Sequence, residues 1–355
     1  MTQVETPKKT LLEIKGSQKL PHWLTEQKVS LVLTTYQAGK IFFVGVQPDG
    51  RLSIFERTFN RSMGLWATPQ TIWLSSLYQL WRFENALEPN QLHEGYDRLY
   101  IPQMGYTTGN LDIHDVVIDQ DGQVIFVNTL FSCLATVSET HSFIPLWKPK
   151  FVSKLAPQDR CHLNGLALEN GVPRYVTAVG QTDTPDGWRE TRNGGGCIID
   201  VPSNEIVASG LSMPHSPRVY QNRLWVHNSG TGYFGTVDLK TGQFEPVTFC
   251  PGYLRGLAFI NDYAVVGISQ PRENKTFSNL PLDDNLAAYK TQPYCGLFVI
   301  DLKTGKMVHS LLIEGIVSEL YDVAILLGVK RPMNLGFKSK EIHHMINIGS
   351  QPSSS

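Results

Sequence analysis

Short apolar runs alternate with polar turns along this chain in a unit that recurs six times, and each unit reads as four β-strands. The order within a unit is a short apolar strand, a turn, a β-branched and aromatic second strand, a loop, a third strand, a hairpin turn and a fourth strand. First strands are predicted at Met63-Gly-Leu-Trp, Asp115-Val-Val-Ile, Asn164-Gly-Leu-Ala, Pro217-Arg-Val-Tyr, Arg255-Gly-Leu-Ala and Asp322-Val-Ala-Ile, at successive spacings of 52, 49, 53, 38 and 67 residues. Second strands follow at Thr71-Ile-Trp-Leu, Gln123-Val-Ile-Phe-Val, Arg174-Tyr-Val-Thr-Ala-Val, Leu224-Trp-Val-His, Tyr263-Ala-Val-Val and, near the N-terminus, Leu31-Val-Leu-Thr. The turn Asp238-Leu-Lys-Thr-Gly242 recurs verbatim as Asp301-Leu-Lys-Thr-Gly305, with Gly supplying the positive φ such turns need.

Four-stranded units of this period bury their faces only against their neighbours, which predicts an all-β fold, a six-bladed β-propeller. The last first strand, at Tyr321 to Leu327, has no partners after it, whereas residues 30–56 supply second, third and fourth strands with no first strand before them. The ring is therefore expected to close by N- and C-terminal segments sharing one blade, which removes the open sheet edge. Two packed β-domains would need a boundary, and no linker-like stretch interrupts the repeats. Residues 21–330 are expected to form a single propeller domain, 1–20 an N-terminal extension, and 331–355, ending Gln-Pro-Ser-Ser-Ser, a partly disordered C-terminal extension.

Composition narrows the partners. With 31 Lys and Arg against 32 Asp and Glu the formal charge is −1, so no global field draws nucleic acid or anionic lipid. No window approaches the roughly 18 apolar residues of a membrane span, and Met1 to Lys9 lacks the apolar core of a signal peptide. A cytoplasmic location without nucleic-acid or membrane partners is expected. The five cysteines, Cys133, Cys161, Cys197, Cys250 and Cys295, are scattered and make no C-x-x-C, as expected of reduced, buried thiols.

First strands of a propeller line its central channel, and the loops before them open on the same face as the loops between second and third strands. Two of those second loops are long, Gln181 to Gly195 and about Gln270 to Tyr294, so both cover one mouth. The residues running into the channel are unusually polar. His114, His162, His215 and Glu319 are candidate metal ligands, because neutral imidazoles and a carboxylate from four blades suit a divalent ion. Their phases differ: His162 and His215 fall two positions before the aligned reference, His114 one and Glu319 three, and one step turns a strand side chain to the other face. Without a metal, His114 beside Asp115 is a candidate general base with Arg255 as a catalytic partner. Arg61, Asn164, Arg218, Trp188 and Arg189 are then candidate ligand-binding residues, the arginines as forks for a carboxylate or phosphate. Gly230-Thr-Gly-Tyr-Phe-Gly235 matches a dinucleotide pattern but joins two strands, so it carries no cofactor expectation.

The strings Cys161-His-Leu-Asn-Gly-Leu-Ala, Thr182-Asp-Thr-Pro-Asp-Gly-Trp-Arg-Glu190, Met213-Pro-His-Ser-Pro-Arg218, His227-Asn-Ser-Gly-Thr-Gly232 and Leu254-Arg-Gly-Leu-Ala-Phe259 resemble a bacterial family of conserved hypothetical proteins without an established activity, over about residues 20 to 330. In fold pattern the chain is similar to gluconolactonase and regucalcin, strictosidine synthase-like and NHL-repeat propellers. Lactonase-type members hold a divalent cation with acidic and amide side chains. That likeness implies comparable places for Glu319, Asn164 and Asp322 or Asp115, while three histidines depart from it and favour Zn, Fe or Mn over Ca. The expected function is binding of a small molecule or peptide in a His-rich channel, with metal-assisted hydrolase or lyase chemistry. The alternative is a non-catalytic module gripping a protein or ligand with the loop-covered face.

Overall fold

The computed structural model describes residues 12–271 and 278–349. The start of the expected N-terminal extension, six residues of the second insertion and the end of the C-terminal extension lie outside the described residues. The repeat pattern folds into six antiparallel four-stranded blades, two of them carrying an added fifth strand. In the first blade the order is Leu320–Leu327, Val29–Thr35, Lys40–Val46 and Leu52–Thr58. The chain thus closes its own ring, with Val29 opposite Leu327 and Leu33 opposite Val323.

The second blade runs from Leu65–Ala67 to Arg98–Thr107, the third from Ile113–Ile118 to Ile144–Trp147, the fourth from Leu163–Glu169 to Glu205–Leu211, the fifth from Pro214–Tyr220 to Gln243–Phe249, and the sixth from Tyr253–Ile260 to Lys306–Glu314. Each inner strand contacts the inner strand of the next blade all the way round. The repeated turn behaves as its sequence requires. Gly242 and Gly305 take φ of 71° and 67°, and their N–H groups donate to the carbonyls of Asp238 and Asp301 at 2.7 and 2.8 Å.

The core is distributed, because a strand that is apolar on both faces must pack against a neighbour on each side. One apolar cluster fills each interface between adjacent blades. Phe43 and Tyr100 stack between the first and second blades, and Trp225 and Phe234 lie against Leu257 and Val266 between the fifth and sixth. Two segments beyond residues 21–330 join the sheets. Glu13–Gly16 pairs with the outer strand of the sixth blade, and Pro332–Asn334 runs parallel to Arg98, Leu99 and Tyr100 on the second. Between them the helix Leu20–Gln27, with Pro21 in its first turn and Lys28 in a left-handed cap, buries Leu20, Trp23 and Leu24 where the sixth and first blades meet. All five cysteines are free and buried.

Candidate functional site in the channel mouth

The two insertions meet over one end of the channel. The first ends in a short helix, Trp188–Thr191, and the second contains the helix Pro281–Ala288. Trp188, Leu280, Leu282 and Leu286 pack with Met213 and Tyr253 into a small apolar cluster that joins the two helices to the inner strands. Asn193 Nδ2 and Arg192 Nη2 reach the carbonyls of Asn279 and Ser278 at 2.9 and 3.2 Å.

Beneath this cover lies a cavity of about 150 Å³ lined by Tyr36, Asp112, His114, Asp159, His162, Trp188, Arg189, Arg255 and Tyr321, with Met63 and Met213. A second space of about 10 Å³, the size of one water, is lined by His114, Asp115, Asn164, His215, Ser216, Arg255, Tyr321 and Asp322. His114, Arg255 and Tyr321 border both.

The three expected histidines share one device. His114 Nδ1 lies 2.8 Å from the Asp112 carbonyl, His215 Nδ1 lies 2.9 Å from the Met213 carbonyl, and His162 Nδ1 lies 2.8 Å from Asp159 Oδ2. Each of those oxygens only accepts, so every Nδ1 carries its proton and every ring turns Nε2 away from its anchor. Thr129 strengthens the first anchor, its hydroxyl donating to the Leu163 carbonyl at 2.6 Å and leaving the oxygen to accept from His114 Nδ1 at 2.8 Å. Burial holds His114 down to about 4, with neighbouring Asp112 opposing and His162 and Arg255 adding to the depression. Burial, then Arg255, holds His215 well below the ordinary imidazole value. Both rings are neutral at pH 7 and present Nε2 as an acceptor. The His215 Nε2 and the Asn164 Nδ2 are buried without a hydrogen-bond partner among the described residues, an acceptor and a donor beside the one-water space.

Asp159 is the hub on the other side. Its Oδ2 also accepts the Trp188 indole N–H at 2.9 Å, and Trp188 stacks on His162 at 4.2 Å between ring centroids. Burial raises the Asp159 carboxyl, but His162 and the two N–H donors together outweigh it and hold it below the usual carboxylate range. Arg255 lies with its guanidinium carbon 5.1 Å from the Tyr253 ring and 4.8 Å from the Tyr321 ring, with Glu319 Oε2 3.6 Å from its Nη1.

The remaining expected residues divide. Asn164 borders the smaller space, and Trp188 and Arg189 border the larger, with Arg189 also against Asp186 at 3.1 Å. Asp115 and Arg218 are engaged with each other: Arg218 Nη1 and Nη2 donate to Asp115 Oδ2 and Oδ1 at 2.8 and 3.2 Å, and the Val116 and Leu166 amides complete the carboxylate. Asp115 borders the water-sized space but spends its lone pairs on these donors, and Arg218 borders neither cavity. Arg61 stands beside the mouth, donating to Asp112 Oδ1 at 2.7 Å and the Tyr36 hydroxyl at 2.8 Å. Glu319 is buried against Arg255 and borders neither cavity. Among the described residues no three His, Cys, Asp or Glu side chains stand as a group able to hold a metal ion, and the Arg255 cation lies among the imidazoles.

Asp112, Asp159, Thr129, Tyr36 and Tyr321 were not singled out in the sequence. The first two carry a usable signal, a carboxylate two or three residues before a channel histidine. Thr129, fifteen residues from His114, carries none.

A profile described as a domain of unknown function (DUF4915) matches residues 18–335. No curated protein matches the sequence. Among solved structures, a chain of a nidogen/laminin complex is 12% identical with a TM-score of 0.53, covering 85% of this chain and 99% of that one. A protein of unknown function from Bacteroides caccae is 12% identical with a TM-score of 0.49, covering 84% and 98%. The virginiamycin B lyase of Staphylococcus aureus is 11% identical with a TM-score of 0.41, covering 73% and 96%. At this identity the first of these shows the propeller fold and no activity.

Proposed function

Because this chain belongs to the DUF4915 family of unknown function, it inherits no reaction, and we propose from its own residues that the covered channel mouth binds a small molecule and carries out acid–base chemistry on it. His114 is the base and Arg255 the partner for negative charge that develops on the ligand. The observation that carries this reading is the fixed tautomer of His114. Its Nδ1–H is locked on the Asp112 carbonyl and Thr129, so a neutral ring borders the 150 Å³ cavity with Nε2 as its proton acceptor. The cavity lies well below the roughly 300–1,000 Å³ of drug-sized sites and suits a ligand of few heavy atoms. Abstraction of a proton next to a carbonyl by Nε2, with the resulting oxyanion facing the Arg255 guanidinium, is the step this set performs most directly. A hydrolytic variant uses the one-water space beside His215 and Asn164.

The test is a thermal-shift screen of small acids, lactones, esters and dipeptides, followed by turnover assays on each hit. Hits are expected to bind His114→Gln within a few-fold of the wild type while turnover falls by about 10²-fold or more. Hits that lose no turnover in His114→Gln, or that bind equally well to Arg255→Gln, would place both binding and chemistry elsewhere. Elemental analysis of untagged protein belongs to the same experiment. A stoichiometric divalent metal lost in a His114, His162 and His215 triple alanine variant would replace this reading with metal-assisted chemistry. Hits that bind without any turnover would favour the non-catalytic binding module.

A further inference from the structure

We propose that the ligand of this mouth is a small zwitterion of the amino-acid kind, its primary ammonium held by the His162–Asp159 couple and its carboxylate by Arg255, with His114 Nε2 left to act as the base. The inference rests on the reading of the channel mouth as a small-molecule site and specifies that site's ligand. It begins from an imbalance of hydrogen-bonding types. His114 Nε2 has no hydrogen-bond partner among the described residues, and neither has His162 Nε2, although their rings lie 4.9 Å apart at 84°. The two rings therefore offer the cavity a pair of acceptors on the side away from Arg255.

The local charge points the same way. Asp159 is an anion whose two donors are an imidazole and an indole, neither of which neutralises it with a fixed positive charge. Asp112 faces the same cavity but has Arg61 as its own cation at 2.7 Å. A group bearing two or three N–H donors and a positive charge answers both features, and a primary ammonium is the smallest that does. The rings of Tyr36, Tyr321 and Trp188 on the wall give a cation further surfaces to rest against.

A simple amine would leave the other polar wall unused. Arg255 borders both the cavity and the one-water space, is about 5% exposed, and is always charged. Glu319 lies behind it and borders neither space, so the cation faces the ligand and its counter-ion does not. Arg189, also on the cavity wall, adds a second positive charge nearer solvent. A carboxylate a few atoms from the ammonium satisfies this wall, and about 150 Å³ leaves room for a short side chain and little more.

Calorimetric titration of the full chain with three matched sets tests the assignment: L-alanine, L-serine and L-leucine; their N-acetyl derivatives, which lack the ammonium; and their amides, which lack the carboxylate. At least one free amino acid is expected to bind, with both of its blocked forms weaker by about tenfold or more. Arg255→Gln is expected to abolish the difference between acid and amide, and His162→Gln to shrink the difference between amine and N-acetyl form. The wild-type comparison stands even where a variant fails to fold. An N-acetyl derivative binding as tightly as its parent, an amide doing so, or no binding across all three sets overturns the zwitterion. In each case the small-molecule reading survives if a screening hit still binds the mouth and responds to Arg255→Gln, and falls with the zwitterion if none does.

Discussion

At the scale of single residues, the channel is governed by imidazoles that the fold keeps neutral. His114 is held near 4, His227 near 3 and His215 well below its ordinary value, in each case first by burial. An unfolded chain takes up protons on these rings as pH falls through about 6.5, while the folded chain does not until far lower. Their contribution to stability is therefore complete above pH 6.5 and is lost on acidification towards 4. Asp322 runs the other way, since burial and then Asp115 raise its carboxyl, and its contribution is lost as pH rises. Three rings against one carboxyl predict a net loss on acidification. The denaturant midpoint is expected to fall steadily from about pH 7 to 4.5, with a shallower slope in His227→Gln, whose ring lies away from both cavities and donates Nε2–H to the Gly256 carbonyl of the next blade at 3.0 Å. A midpoint independent of pH over that range would mean that these rings are not held neutral. In the same window the acceptor at His114 Nε2 persists, so any binding that depends on it should decline only as the protein itself does.

At the scale of elements, the propeller rests on a device that strand patterns do not reveal. A hydroxyl at the end of the second strand donates to a carbonyl at the start of the next blade's inner strand: Thr34 to Met63, Ser75 to Ile113, Thr129 to Leu163, Ser229 to Leu254 and Ser269 to Leu320, at 2.6 to 3.1 Å. The fourth blade carries Val179 at the corresponding place. Each tie satisfies a buried carbonyl, so Ser269→Ala is expected to cost about 1–2 kcal/mol in chemical denaturation, and an unchanged stability would refute the tie. Thr129→Val should cost a similar amount and, unlike Ser269→Ala, should loosen the His114 tautomer, visible as a change in the nitrogen shifts of that ring. Such hydroxyls read in sequence as ordinary strand-end Ser and Thr, because their partners lie 25 to 51 residues away. The histidine phases were misleading for a related reason. Strand alternation sets His162 and His215 out of step with His114, yet the inner pairs shift register at this end: between Leu163 and Gly165, between His215 and Arg218, between Leu254 and Leu257, and opposite His114 between Phe126 and Asn128. His162 itself has a φ of 49°. Bulges re-aim side chains at the mouth, and a period of two cannot anticipate them. Residues deeper in the strands, such as Val116, Leu166 and Leu257, keep the expected alternation and were legible as core.

At the scale of the whole molecule, the feature most legible in the sequence was closure, because a first strand without successors and three strands without a first can only be completed by each other. The pairing of Val29–Thr35 with Leu320–Leu327 joins residues some 290 apart, and it brings Tyr321 and Asp322 to the channel, where both border the water-sized space. Asp322 also accepts from the Leu65 amide of the second blade at 3.0 Å, so the last inner strand is tied to both neighbours. The outer additions differ in kind. Glu13–Gly16 covers an edge of the sixth blade, and the helix after it buries Leu20, Trp23 and Leu24 at the junction with the first, outside the strand pairing that closes the ring. Two truncations separate the roles. Removing residues 1–28 should lower the unfolding midpoint while leaving one cooperative transition, since each large apolar side chain lost from the interface costs a few kcal/mol and the ring stays closed. Removing residues 316–355 takes away the inner strand of the first blade, exposing the edge of Val29–Thr35 and the apolar faces of Leu31, Leu33 and Phe42, and should leave a chain that aggregates or unfolds without a sharp transition. Adding the missing segment back as a separate peptide should restore the transition if closure is the determinant. Cooperative unfolding of the C-terminal truncation on its own would show that five blades and an open edge suffice, and the shared blade would then serve the channel more than the fold.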